Sequence, residues 1–203
     1  MPKGSERLLK KLTEAHAVPG FEGEVREIFV EELDGQGTIE ADRNGSVLCH
    51  LEGKGPRVLL EAHMDEVGFR VQSILPDGML RLVPVGGWWA HVLLAQQLTV
   101  KTAQGRKILG VVGSKPPHFL PEAERARVMA LDDLFVDVGA SSREEVESLG
   151  IRLGDPVAPR TQFEHLACGR RFVAKAFDNR VGMAGVIEAG KRLAKRKRVN
   201  HPI

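Results

Sequence analysis

Two short stretches of this sequence carry side chains suited to metal-assisted hydrolysis. The first is Arg57-Val58-Leu59-Leu60-Glu61-Ala62-His63-Met64-Asp65-Glu66-Val67-Gly68-Phe69, an apolar run that ends in His-x-Asp. An imidazole is a metal ligand. A carboxylate two residues on can accept its other N–H, which fixes the tautomer and raises the basicity of the ligating nitrogen. The same spacing also suits a strand-end histidine hydrogen-bonded in a turn. The second stretch ends in Asp178-Asn179-Arg180. An Asp can bridge two metal ions, one per carboxylate oxygen, and two such ions share and activate a water. Asp178 equally suits the N-cap of the helix that follows it. On spacing alone, both pairs of alternatives stand open.

The elements around these residues give them a common setting. Val58 to Ala62 reads as a buried strand, bounded upstream by Gly53-Lys54-Gly55-Pro56. Open α/β sheets keep their chemistry just outside the carboxyl ends of the strands, which is where His63 and Asp65 fall. Phe172 to Phe177 reads as a strand leading to Asp178, and Val181 to about Lys197 as a helix. Gly182, Gly185 and Gly190 in that helix point to close packing, since each costs about 1 kcal/mol against alanine.

Upstream, Ser5 suits the cap of a first helix with Leu8, Leu9 and Leu12 on one face. The chain breaks at Val18-Pro19-Gly20, and a second helix carries Val25, Ile28, Phe29 and Leu33 and ends near Gly35. Asp42-Arg43-Asn44-Gly45 is a hairpin turn between a strand at Ile39 and one over Val47 to Leu51. From Phe69 to His165 the pattern changes to short strands and turns. Pro76-Asp77-Gly78 is a turn, 98–102 and 108–112 form a hairpin, and 131–138 holds a further strand. One helix, opened by a Ser142/Glu145 capping box and closed at Gly150, interrupts it. Of Trp88 and Trp89, at least one is expected in a core; the pair also suits a substrate or partner patch. Residues 116–121, rich in proline, read as a loop. The expected architecture is an α/β domain over 1–68 and 166–203, interrupted by a small β-barrel-like domain over 69–165.

Composition narrows the function classes. The 203 residues are 42% hydrophobic and 28% charged, an ordinary globular balance. A net charge of +2 argues against nucleic acid as the main partner. The basic run Lys191, Arg192, Lys195, Arg196, Lys197, Arg198 suits a nucleic-acid patch, but it better matches the negative pole of its own helix. No apolar stretch approaches the ~18 residues that span a bilayer, and residues 1–5 lack a signal peptide's apolar core. Cys49 and Cys168 form no C-x-x-C pair, which suits a reducing cytoplasm.

Taken together, His63-Met64-Asp65-Glu66-Val67-Gly68-Phe69 and Ala176-Phe177-Asp178-Asn179-Arg180-Val181-Gly182 resemble the signature motifs of the glutamyl aminopeptidase family. Its members are also called deblocking or tetrahedral aminopeptidases, and many go by the name endoglucanase. They are cytoplasmic two-metal peptidases of clan MH. The likeness extends to Val18-Pro19-Gly20-Phe21-Glu22, Asp42-Arg43-Asn44-Gly45, Pro84-Val85-Gly86-Gly87-Trp88 and Asp137-Val138-Gly139-Ala140. It implies a mixed-sheet α/β metallopeptidase domain with an inserted β-barrel-like dimerisation domain. It also implies that His63 is a metal ligand, Asp178 the bridging carboxylate, and Asp65 the catalytic residue that orients His63. Short peptides are the implied substrates, two zinc or cobalt ions the cofactors, and dimers or tetrahedral dodecamers the assembly.

In this family a strand beyond the Asn-His-Pro segment leads to a Glu-Glu pair, a general base and a metal ligand, followed by a further Asp and a late His. Those positions have no counterpart here, and Glu188 lies mid-helix outside such a context. The expectation is therefore a chain carrying the first part of the enzyme, binding metal weakly and inactive unless a C-terminal half is supplied. Two other readings stand beside it: a non-catalytic assembly or structural protein, and an endoglucanase, for which the sequence offers no defensible carboxylate pair.

Overall fold

A computed structural model describes residues 2–196 and 200–203, and of Glu124 only the backbone. Lys197 and Arg198 of the basic run lie outside the described residues. The chain divides into two units, Met1–Glu66 with Gln162–Ile203, and Val67–Thr161.

Helix α1 (Lys3–Glu14) buries Leu8, Leu9 and Leu12, and α2 (Gly23–Leu33) buries Val25, Ile28, Phe29 and Leu33. These are the faces that the 3.6-residue period marks out. Ser5 does not cap α1. It lies inside the first turn, where its hydroxyl donates to Glu188 Oε1 at 3.2 Å, and Pro2 precedes the helix. Strands β1 (Thr38–Ala41) and β2 (Val47–His50) pair antiparallel around the expected turn. There Asp42 Oδ1 accepts from the N–H groups of Asn44 and Ser46 at 2.9 and 2.8 Å. These bonds hold its carboxyl below its ordinary pKa, that to Ser46 most strongly.

The second unit is a closed barrel. Its strands are β3 (Gly68–Ile74), β4 (Leu80–Val85), β5 (Gln97–Lys101), β6 (Lys107–Gly113), β7 (Phe135–Asp137) and β8 (Pro156–Pro159). They close in the order β3-β4-β7-β6-β5-β8, every pair antiparallel. Closure removes the exposed edges that an open small sheet would present. Inward-facing Phe69, Val71, Leu80, Leu98, Val100, Val112, Val136 and Val157 fill its interior. Gly110 is required by close approach: a β-carbon there would lie 2.5 Å from Val136 Cγ1. Between β6 and β7, residues 116–121 contain one 3₁₀ turn, Pro117–Phe119, and the short α3 (Glu122–Arg125) follows. Helix α4 (Arg143–Ser148) has the expected cap, with Ser142 Oγ accepting from the Glu145 N–H at 3.2 Å. The two tryptophans part ways. Trp88 stacks on Phe69, centroids 4.8 Å apart, and its Nε1 donates to the Gly68 carbonyl at 3.0 Å. Trp89 is 71% exposed.

The chain then returns to the first unit through β9 (Glu164–His165) and β10 (Phe172–Val173), a two-stranded pair, and α5 (Phe177–Ala194). Met183 and Ile187 of α5 complete the core formed by α1 and α2. Gly190 lets α5 approach α2, where a β-carbon would meet Leu33 Cδ2 at 3.0 Å. Of the basic residues at the end of α5, Lys191 pairs with Glu32, and Arg192 with Glu188 at 3.7 Å.

Two expected strands differ. Val58–Ala62 lies outside any ladder, and it is not buried: Leu59 is 69% exposed. A strand needs a neighbour that accepts and donates along its length. The neighbouring described segment, 200–203, meets it only at Val58, whose N–H donates to the Pro202 carbonyl at 2.9 Å; Leu51 exchanges both backbone bonds with Ile203. Similarly, β10 covers only Phe172–Val173 because its partner β9 is two residues long.

Candidate metal centre

His63 stands at the centre of the site. Its Nδ1 lies 2.9 Å from Asp65 Oδ1 and its Nε2 lies 2.9 Å from Asp178 Oδ1. The three residues that the sequence singles out therefore meet, although Asp178 belongs to a segment far downstream. With both ring nitrogens facing carboxylates, the Asp65 contact leaves Nε2 as the nitrogen turned toward Asp178.

The way α5 begins explains why Asp178 is available. Ala176 adopts a left-handed conformation (φ 56°, ψ 30°), and Asp178 and Asn179 depart from helical geometry around a cis peptide bond. The cap comes from Asn179, whose Oδ1 accepts from the Gly182 N–H at 3.0 Å. Asp178 is thus not the N-cap, and its carboxylate is 94% exposed. Gly182 is needed for this arrangement, because a β-carbon there would lie 2.2 Å from Asn179 Oδ1. Gly182→Ala is expected to cost about 0.5–2 kcal/mol, the range for a lost cap. Thermal unfolding of Gly182→Ala, Asn179→Ala and the double variant checks this. Since both single changes remove the same contact, their losses should fall well short of adding.

Beneath the site lies a charged cluster that sequence reading passed over. The Glu66 side chain is buried, and its Oε1 accepts from Lys175 Nζ at 2.5 Å, Arg180 Nη2 at 3.4 Å and the Ala17 N–H at 3.2 Å. Lys175 also donates to the Ala15 carbonyl and Arg180 to that of Leu12. Burial pushes the Arg180 guanidinium down from its ordinary pKa, while the charges of Glu66, then Asp65 and Glu24, push it back up. Glu66 and Arg180 lie within the motifs already named and Lys175 directly precedes the second, and their charge type was the available signal.

The donor chemistry fits a divalent transition ion: an imidazole nitrogen oriented by one carboxylate, with a second carboxylate opposite. The count is short. Among the described residues, no group of three or more His, Cys, Asp or Glu is placed to hold a metal. His63 and Asp178 supply two donors where a catalytic zinc site uses three.

Comparison with known proteins finds aminopeptidase relatives. A family profile described as M42 glutamyl aminopeptidase matches residues 45–202, and one described as AMPT matches residues 5–29. The lysyl aminopeptidase of Pyrococcus furiosus is 38% identical over 189 residues, 92% of this chain and 54% of that protein. The crystal structure of a TET aminopeptidase from a marine sediment thaumarchaeon is 41% identical with a TM-score of 0.89, over 94% of this chain and 54% of that one. The Pyrococcus horikoshii TET1 peptidase, reported to assemble into a tetrahedron or a large octahedral shell, is 32% identical with a TM-score of 0.84, over 94% and 56%. The chain spans about half the length of the curated relatives it matches.

Proposed function

Since this chain belongs to the M42 glutamyl aminopeptidase family, we propose that it contributes one part of a metal-dependent aminopeptidase site that removes N-terminal residues from short peptides. The observation that carries this reading is His63 held at 2.9 Å between Asp65 and Asp178. In it, His63 and Asp178 would hold a divalent ion, zinc or cobalt, and Asp178 would be the carboxylate shared with a second. Asp65 stays on Nδ1 and keeps Nε2 free of its proton for the metal. Bound ions would polarise the scissile carbonyl and activate water. The barrel unit, 67–161, is the self-association module of this reading. Exposed Trp89 supports it, because aromatic side chains concentrate at the cores of interfaces.

A reducing, cytoplasmic setting suits the free Cys49 and Cys168. Among the described residues no helix is long and apolar enough to cross a membrane.

Calorimetric titration with Co²⁺ tests the ligand roles. With two donors, binding should be weak and should not survive dialysis against EDTA. His63→Ala and Asp178→Asn should each remove it. One equivalent of zinc retained through EDTA, or Co²⁺ binding indifferent to both substitutions, would place the metal elsewhere.

A further inference from the structure

We propose that Glu66, Lys175 and Arg180 are positioning residues: a buried charge cluster that holds the turn bearing His63 and Asp65 against the turn bearing Asp178. The proposal deepens the reading of His63 and Asp178 as metal ligands and rests on it for its metal arm.

The spacing puts the cluster next to every candidate site residue. Glu66 follows Asp65 directly and lies three residues after His63. Lys175 lies three residues before Asp178 and Arg180 two after it. The Glu66–Lys175 and Glu66–Arg180 pairs therefore join the same two segments that His63 and Asp178 join above them.

Burial separates the two sets of contacts. The Arg180 side chain is wholly buried, and those of Glu66 and Lys175 nearly so. Asp178, by contrast, stands in solvent, where a pair of charged or polar side chains restrains little. The exposed contact cannot fix the spacing of the two turns, whereas the buried one is screened from water and resists separation.

The cluster is also anchored to a third element. Arg180 Nη1 donates to the Leu12 carbonyl at 2.7 Å and Lys175 Nζ to the Ala15 carbonyl at 2.6 Å. Both cations thus meet the C-terminal end of α1, the negative pole of its dipole. The Glu66 backbone N–H donates to the Ala17 carbonyl at 2.9 Å, and the Ala17 N–H returns a bond to the Glu66 carboxylate. The end of α1 and the residues after it act as a platform on which both turns are seated.

Lys175→Met in the full 203-residue chain tests the proposal. It keeps the apolar stem and leaves Glu66 and Arg180 as a balanced pair, so the melting temperature should stay close to that of the parent. Long-range ¹H–¹⁵N spectra of the histidine rings, with His63 assigned by His63→Ala and the Asp178 contact by Asp178→Asn, then read the geometry without metal. The His63–Asp65 signature, internal to one turn, should persist, and the His63–Asp178 signature, which crosses between turns, should be lost. Co²⁺ affinity should fall about 10–100-fold, the usual cost of losing an outer-sphere partner. Lys175→Arg should restore both readouts. Lys175→Leu, which likewise keeps the Glu66–Arg180 pair intact, gives a second background in which the same losses are expected. A folded variant of either kind that keeps the parent His63 spectrum would overturn the proposal. Co²⁺ binding that ignores His63→Ala would instead overturn the ligand reading, and the metal-free spectra would still decide the positioning role.

Discussion

The 203-residue chain alone is expected to hydrolyse an aminoacyl-nitroanilide no faster than a protein-free blank, with zinc or cobalt added. The described residues bring two metal donors together, His63 and Asp178, and no cluster of three. A catalytic zinc site needs three protein ligands and an open position for water, and a two-metal site must hold its ions ~3.5–4 Å apart. General-base catalysis contributes ~10²–10⁴-fold, and Asp65, the carboxylate on His63 Nδ1, is already hydrogen-bonded to that ring. The matched relatives are close to twice as long as the region they share with this chain. Co-expressing the remaining segment of such a relative, which the family resemblance furnishes with a Glu-Glu pair, should restore metal retention and aminopeptidase turnover together. His63→Ala or Asp178→Asn should then return the rate to the blank. Carboxymethyl cellulose, assayed alongside, should stay intact. Turnover by the isolated chain that His63→Ala abolishes would show a base and further ligands within these residues.

The second large effect concerns stability. Glu66→Ala is expected to cost about 3–5 kcal/mol, the usual penalty for removing one partner of a buried ion pair. The substitution leaves Lys175 and Arg180 facing each other in the interior without their shared carboxylate. Glu66 is the strongest of the charges that oppose the desolvation of Arg180, so its loss falls on a group with no solvent exposure. Lys175→Met should cost far less, because it removes one of two cations and leaves a neutral pair. Urea denaturation followed by far-ultraviolet circular dichroism is the measurement to use. The long helices α1, α2 and α5 all lie in the unit that holds Glu66, whereas both tryptophans lie in the barrel unit and their fluorescence reports that unit instead. Equal midpoints for Glu66→Ala and the parent protein would show that the cluster contributes little to stability.

Much of this protein was determined locally by its sequence. The buried faces of α1 and α2, the turn at Asp42–Gly45, the hairpin of β5 and β6 and the cap of α4 follow from periodicity and turn chemistry, which act over a few residues. His63 and Asp65 were legible for the same reason, since the contact between them spans two positions. What only the tertiary structure decided involves partners distant in the chain. Apolar composition marks Val58–Ala62 as a strand, but a strand exists only where a neighbour shares its backbone bonds, and these residues have no ladder. Asp178 and Asn179 are both good caps by type. The departure from helical geometry at these two residues gives the cap to Asn179 and leaves Asp178 free to meet His63. Glu66 looked like one more polar residue in a motif. Its burial between Lys175 and Arg180, over 100 positions away, depends on how α1 and α5 pack, and no local rule reaches that far.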